Sequence, residues 1–210
     1  IIFIQKNQLI EYDIKVQLRN GDSIEGVKFL SKNNLLKQPF FNFSITETQR
    51  NLLNKINLNS VFVKDYFAIK NGVKPYEIGK GYPPQTQEVL KQKPYTSETK
   101  ENNTFIPLIG GRYFHRYVNL WNNNFWISYG KWLAAPREAS IFEAEEKLIF
   151  RQTSDKIIGT LIEAGFIMRD NTHIILQRDR QFSLRYLLGI LNSKLIDFVY
   201  RSINPEKGEA

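Results

Sequence analysis

The chain has 210 residues, 42% of them hydrophobic, enough for one large domain or two small ones with packed cores. It has no cysteine and only two histidines, His115 and His173, which excludes disulfide frameworks, thiolate zinc sites and cysteine nucleophiles; a metal would have to lean on carboxylates, which suits magnesium better than zinc. A formal net charge of +8 and a pI near 9.5 favour a polyanionic partner, nucleic acid first.

LIEYDIKVQL and SIEGVKFL flank Arg19-Asn20-Gly21-Asp22, and Asn-Gly accepts positive φ, so a β-hairpin is expected. FFNFSI, around Phe41 to Ile45, reads as a further short strand. Leu52, Leu53 and Ile56 sit at helical spacing, which predicts a helix from about Thr46 to Asn57 capped by Ser44 or Thr46. VFVKDYFAI follows as a β-rich run ending at Asn71-Gly72. The next thirty or so residues are rich in glycine, proline and lysine without a steady apolar period. They read as a long ordered loop or a few irregular strands, and loops of that length are often functional.

From Thr104 the strand-like runs are FIPLI, FWISY, KLIFRQ and THIILQ. SDKIIGTLIEAGF, between the last two, reads as a short helix begun by Ser154 and stopped near Gly165. FSLRYLLGILNSKLIDFVYRSI reads as one amphipathic helix from about Ser183. The expected fold class is α+β, with mixed or antiparallel sheets, short helices and a C-terminal helix. No apolar run approaches the ~18–20 residues that span a bilayer. The N-terminal residues carry no signal-peptide pattern. The missing cysteines and leader suit a cytoplasmic protein, and a chain opening at Ile1 reads as a piece of a longer polypeptide.

One stretch stands apart in charge. Asn102 to Arg137 holds no Asp or Glu, yet carries Arg112, Arg116, Lys131 and Arg137 and all three tryptophans, Trp121, Trp126 and Trp132. Arginine forks onto phosphate or onto the guanine edge, and tyrosine and tryptophan stack on bases. Asn122, Asn123 and Asn124 either pair with adenine or form a hairpin tip. Lys74 and Lys80 suit backbone phosphates, and Tyr82, Gln85 and Thr86 would present polar tips from a rigid loop. Gln152 and Thr153 are further neutral readers, beside Arg151. His115 would touch phosphate or base, whereas His173 would cap a strand. Gly79-Lys80-Gly81 lacks phosphate-loop spacing.

Two other readings stay open. Glu138, Glu145 and Lys147 could form a metal-dependent nuclease site, although the clustered carboxylates of two-metal hydrolysis are not evident. The aromatic strip could instead dock a protein partner.

Seven blocks in order, GVKPYEIGKGYPPQT, KPYT, FIPLIGGRYFHRYV, FWISYGKWLAAPRE, KLIFRQT, NTHIIL and YLLGILNSKLIDFVYR, resemble the TaqI-like C-terminal specificity domain. This is the target-recognition module of adenine-specific DNA methyltransferases and fused restriction–modification enzymes of bacteria. The resemblance covers about Val61 to Arg201. It implies a DNA target-recognition domain over 61–201, a frayed tail over 202–210, and a connector over 1–60 from an upstream methyltransferase domain. The parent would bind S-adenosylmethionine, with magnesium if it also cleaves, and methylate a flipped adenine. The Asn/Asp-Pro-Pro-Tyr/Phe motif is missing, and Tyr82-Pro83-Pro84-Gln85 is not it. The resemblance therefore implies a module that holds double-stranded DNA without doing chemistry or binding a cofactor. Residues lining the cleft would come from Lys80–Thr86, Arg112–Tyr117 and Lys131–Arg137.

Overall fold

The computed structural model describes residues 13–33 and 45–204, in two compact units divided between Ser60 and Val61. The fold class is α+β. In the first unit β1 (Asp13–Asn20) and β2 (Ser23–Ser31) form an antiparallel hairpin, and Gly21 at its turn has φ +60°. Helix α1 (Glu47–Leu58) opens with a capping box: Thr46 Oγ1 accepts from Gln49 N–H, while the Gln49 side chain accepts from Thr46 N–H. Of the strand expected around Phe41 to Ile45, all but Ile45 lies outside the described residues, and Ile45 itself forms a bend before α1.

The second unit is built on a four-stranded antiparallel sheet in the order β10 (Gly159–Glu163), β9 (Glu146–Arg151), β12 (Thr172–Gln177), β3 (Phe67–Asn71). A smaller mixed sheet contains β11 (Ile167–Met168), β5 (Phe105–Ile109), β8 (Trp126–Ser128) and β4 (Thr96–Ser97). Successive residues of a strand point to opposite faces, and the central strands are buried on both. Ile149 and Ile174 join Leu108, Ile109, Ile127 and Met168 in one core; their neighbours Leu148 and Ile175 join Leu184, Leu187 and Leu188 in another. That two-sided burial is why KLIF and HIIL read as continuous apolar runs.

Four expectations need correction. SDKIIGTLIEAGF is not a helix: it supplies β10, paired along its length with β9. Thr160 and Ile162 are β-branched and buried, and Gly165 (φ +88°) makes the turn after the strand instead of stopping a helix. The C-terminal helix is two, α5 (Leu184–Leu191) and α6 (Lys194–Ile203). Asn192 leaves the helix because its buried amide completes the sheet edge, accepting from Gly159 N–H at 3.0 Å and donating to Gly159 O at 2.9 Å. Ser183 and Ser193 cap the two helices. Helix α6 ends at Ile203, where the apolar run FSLRYLLGILNSKLIDFVYRSI ends. VFVKDYFAI is part helical, with the one-turn α2 (Val63–Tyr66) before β3; the long loop contains α3 (Gln87–Gln92), whose N-cap is Thr86, and a further turn, α4 (Ser140–Glu143), precedes β9.

Candidate nucleic-acid interface

Antiparallel register decides what shares an end of the main sheet. Gly159 faces Phe150, Arg151 faces Thr172, and His173 faces Asn71, so the start of β10, the end of β9, the start of β12 and the end of β3 lie in one row. Four strands at ~4.8 Å spacing make this row roughly 14 Å wide. The opposite end holds Glu146 and Glu163.

The connections at the first end bring distant segments together. At β10, the hairpin of β6 (Phe114–His115) and β7 (Val118–Asn119) attaches through Tyr117 N–H, which donates to Gly159 O at 3.1 Å. At β9, Arg151 donates from Nη2 to Phe114 O at 2.6 Å, and Gln152 N–H donates to Asn171 O. At β12, Asn171 Oδ1 accepts from Gly111 N–H at 3.2 Å, which places Arg112 next to it in sequence on the same connection. At β3, Val73 N–H donates to Met168 O, and Arg137 Nε donates to Gly72 O at 3.1 Å. Beyond β3, Lys74 and Ala135 exchange two backbone hydrogen bonds, and Tyr82 N–H donates to Lys131 O. Lys131 Nζ sits 4.5 Å from the centre of the exposed Tyr82 ring.

Gly72 makes the β3 connection possible: a Cβ there would lie 2.1 Å from Arg169 O, backbone against backbone. Gly72→Ala is expected to lower the unfolding free energy by about 2 kcal/mol through forced separation of β3 from the Arg169 turn, measurable by urea denaturation.

Lys80, Arg112, Lys131, Arg137 and Arg151 form no ion pair among the described residues. Arg112 lies over the Tyr113 and Phe125 rings, His115 is exposed in the hairpin, and Gln152 is exposed just past the end of β9. Lys74 is paired with Glu77 at 2.7 Å. Arg116 is committed inward: its guanidinium donates to Ile157 O from Nε and Nη2 and to Asp197 Oδ1 at 2.5 Å. Tyr117, Asn123 and Arg137 all have positive φ, a conformation of order 1–3 kcal/mol costlier for such residues than for glycine, most of all for Tyr117 and Arg137.

Other candidate residues are held by hydrogen bonds within the fold. Gln85 is 3% exposed and its side chain is engaged within the fold: its Nε2 donates to Pro75 O and Trp132 O, both at 2.8 Å, and its Oε1 accepts from Glu77 N–H at 2.9 Å. It ties the Lys80 loop to the Lys131 segment. Thr86 is a helix cap, accepting from Val89 N–H. Trp132 packs on the core, with Nε1 donating to Ser128 O. Asn123 belongs to the turn before β8, where its carbonyl accepts from Trp126 Nε1 at 3.1 Å, and among the described residues no hydrogen bond joins residues 122–124 to the row formed by β3, β9, β10 and β12. His173 donates from Nδ1 to Asn71 Oδ1 at 2.9 Å across the sheet, and burial lowers its pKa. Arg169 and Asn171 escaped the sequence reading although both lie mid-row and Asn171 opens the NTHIIL block. Nothing in their local composition marks them.

The nuclease constellation does not assemble. Lys147 is fully buried, with Nζ donating to Phe142 O, Ala144 O and Glu163 O, and burial pushes its pKa down to about 8. Glu146 pairs with Arg185. No group of three or more acidic or histidine side chains among the described residues is arranged to hold a metal.

A family model described as the TaqI-like C-terminal specificity domain matches residues 106–210, half of the chain. The chain belongs to that family. The chain is also 29% identical over 117 residues to a protein of Methanocaldococcus jannaschii named as a type II restriction enzyme and methyltransferase. That match takes in 53% of this chain and 10% of the relative, so the specificity domain spans a small part of that protein's length. Its Tyr82-Pro83-Pro84-Gln85 segment does not fit a methyl-transfer pocket, because Gln85 is spent on backbone partners. No described helix is long and apolar enough to cross a membrane.

Proposed function

We propose that the specificity domain lays a DNA duplex against the basic end of the four-stranded sheet, as the target-recognition part of a cytoplasmic adenine methyltransferase or fused restriction–modification protein. The observation that carries this reading is the register that brings Arg151 and Gln152 after β9, Arg169 and Asn171 before β12, and Arg137 through Gly72 after β3 to one end of the sheet, with Glu146 and Glu163 at the other; the acids that share the basic end, Asp155 and Asp170, are paired with Arg201 and Arg169. A row of roughly 14 Å is comparable to the ~12 Å width of the major groove. Lys80, Lys131, Arg137 and Arg151 grip phosphates and fix orientation. Arg112, Arg169, Asn171 and Gln152 are the candidates for reading base edges. Residues 1–60 connect the domain to a methyltransferase part that would hold S-adenosylmethionine, and any magnesium, outside this chain.

Duplex binding by the chain is expected to weaken steeply with salt, with a slope of log affinity against log salt near −3 to −5, about one unit per phosphate contact. Fluorescence anisotropy across a salt series measures it. Absence of duplex binding at low salt, or a flat slope, overturns the assignment.

A further inference from the structure

We propose, resting on the duplex-binding reading, that Tyr117 is a fixed stacking platform for an unpaired base at the β10 margin of the row. Tyr117 occupies the two-residue turn between β6 and β7 at φ +66°, where glycine is at ease and a bulky residue is strained. A loop selected only to turn the chain has no use for a ring there. The turn is nevertheless held rigidly from both sides. Tyr117 N–H donates to Gly159 O at 3.1 Å. The neighbouring Arg116 clamps onto Ile157 O and Asp197, with its side chain only 20% exposed. The contacts therefore hold the backbone while the ring itself is left out. Tyr117 is 58% exposed, and its ring meets no aromatic or cationic partner and its hydroxyl no hydrogen bond among the described residues.

The position explains the choice of ligand. The ring leaves the sheet at Gly159, next to the strand that ends in Arg151 and Gln152 and away from Glu163. A duplex seated on that row would bring its stack past the tip, with exposed His115 alongside. A flat apolar face at the edge of a phosphate-gripping surface suits a base face, which every unpaired nucleotide offers regardless of sequence. Arg116 acts through Tyr117 as a positioning residue, which revises its expected role as a phosphate contact.

The test compares one labelled duplex, fully paired, with the same duplex carrying one base opposite an abasic site. The 210-residue chain is expected to hold the interrupted duplex about fivefold to tenfold more tightly, the lower part of the range a base–ring stack supplies. Tyr117→Ala removes that preference and leaves affinity for the paired duplex within about twofold, as expected for a residue that makes no phosphate contact. Tyr117→Trp keeps the preference. Tyr117→Gly unfolds at no lower temperature than the parent, showing that the hairpin survives loss of the ring. Arg116→Ala loses the preference with Tyr117 present. Equal affinity of the parent chain for both duplexes, or a preference that persists in Tyr117→Ala, overturns the proposal. Failure of the parent chain to bind either duplex removes the duplex-binding reading itself, and this proposal with it.

Discussion

Replacing Lys80, Lys131 and Arg169 together by alanine lowers duplex affinity by roughly a hundredfold or more near 0.1 M salt and makes the salt slope shallower by about two units, one each for the phosphate contacts of Lys80 and Lys131, while loss of Arg169 removes a base-edge contact. The three residues lie on separate connections: the loop after β3, the segment clamped to it, and the turn before β12. Their head groups are at the surface, and no backbone bond depends on the side chain of any of them among the described residues; Arg169 has a carboxylate neighbour, Asp170, at 3.5 Å. The fold should therefore be indifferent to the change, with the unfolding midpoint in urea unaltered. Loss of affinity without loss of slope would mean that Lys80 and Lys131 do not neutralise phosphates. An unchanged affinity would move the DNA surface elsewhere on the domain.

Gln85→Ala is the change expected to cost the fold most. It deprives Pro75 O, Trp132 O and Glu77 N–H of their partner at a site closed to water. Each hydrogen bond lost to a buried group costs about 1 kcal/mol or more, so a loss of about 3 kcal/mol is expected. Urea denaturation gives the stability, and the salt series gives the second consequence: freed from the Lys131 segment, the Lys80 loop no longer presents its charge in one place. Gln85→Glu should not rescue either property, because it restores the acceptor for Glu77 N–H but provides neither donor. If Gln85→Ala kept full stability and changed only which DNA is preferred, Gln85 would be a reader after all.

The contrast between Gln85 and Asn171 shows what could be read from the chain alone. Both are neutral amides in polar surroundings. One is buried beneath a loop and the other is exposed mid-row, and only contacts with residues far along the chain separate them: Trp132 for Gln85, Gly111 for Asn171. Arg116 and Arg112 differ in the same way. They are four positions apart in one acid-free stretch, yet Asp197, from a helix at the other end of the unit, neutralises Arg116 alone. The error over SDKIIGTLIEAGF has a related cause. Serine and glycine at plausible cap positions imitate a helix, but the segment lies against β9, and strand pairing overrides local preference.

Composition and order of residues were enough, without coordinates, to determine a basic, cysteine-free α+β chain, the hairpin at Asn20-Gly21, helix α1 with Ser44 or Thr46 as its cap, the strands β5, β8, β9 and β12, and the family. Each of these rests on charge totals, turn chemistry, periodicity or the order of short blocks, which are local or additive properties. Tertiary structure alone decided which cations remain unpaired, which polar groups are buried, and that Arg151, Asn171, Gly72 and Gly159 share one end of a sheet. Those facts depend on strand register and long-range contact, and a shift of one residue in either would have rearranged them while leaving the composition and charge totals untouched.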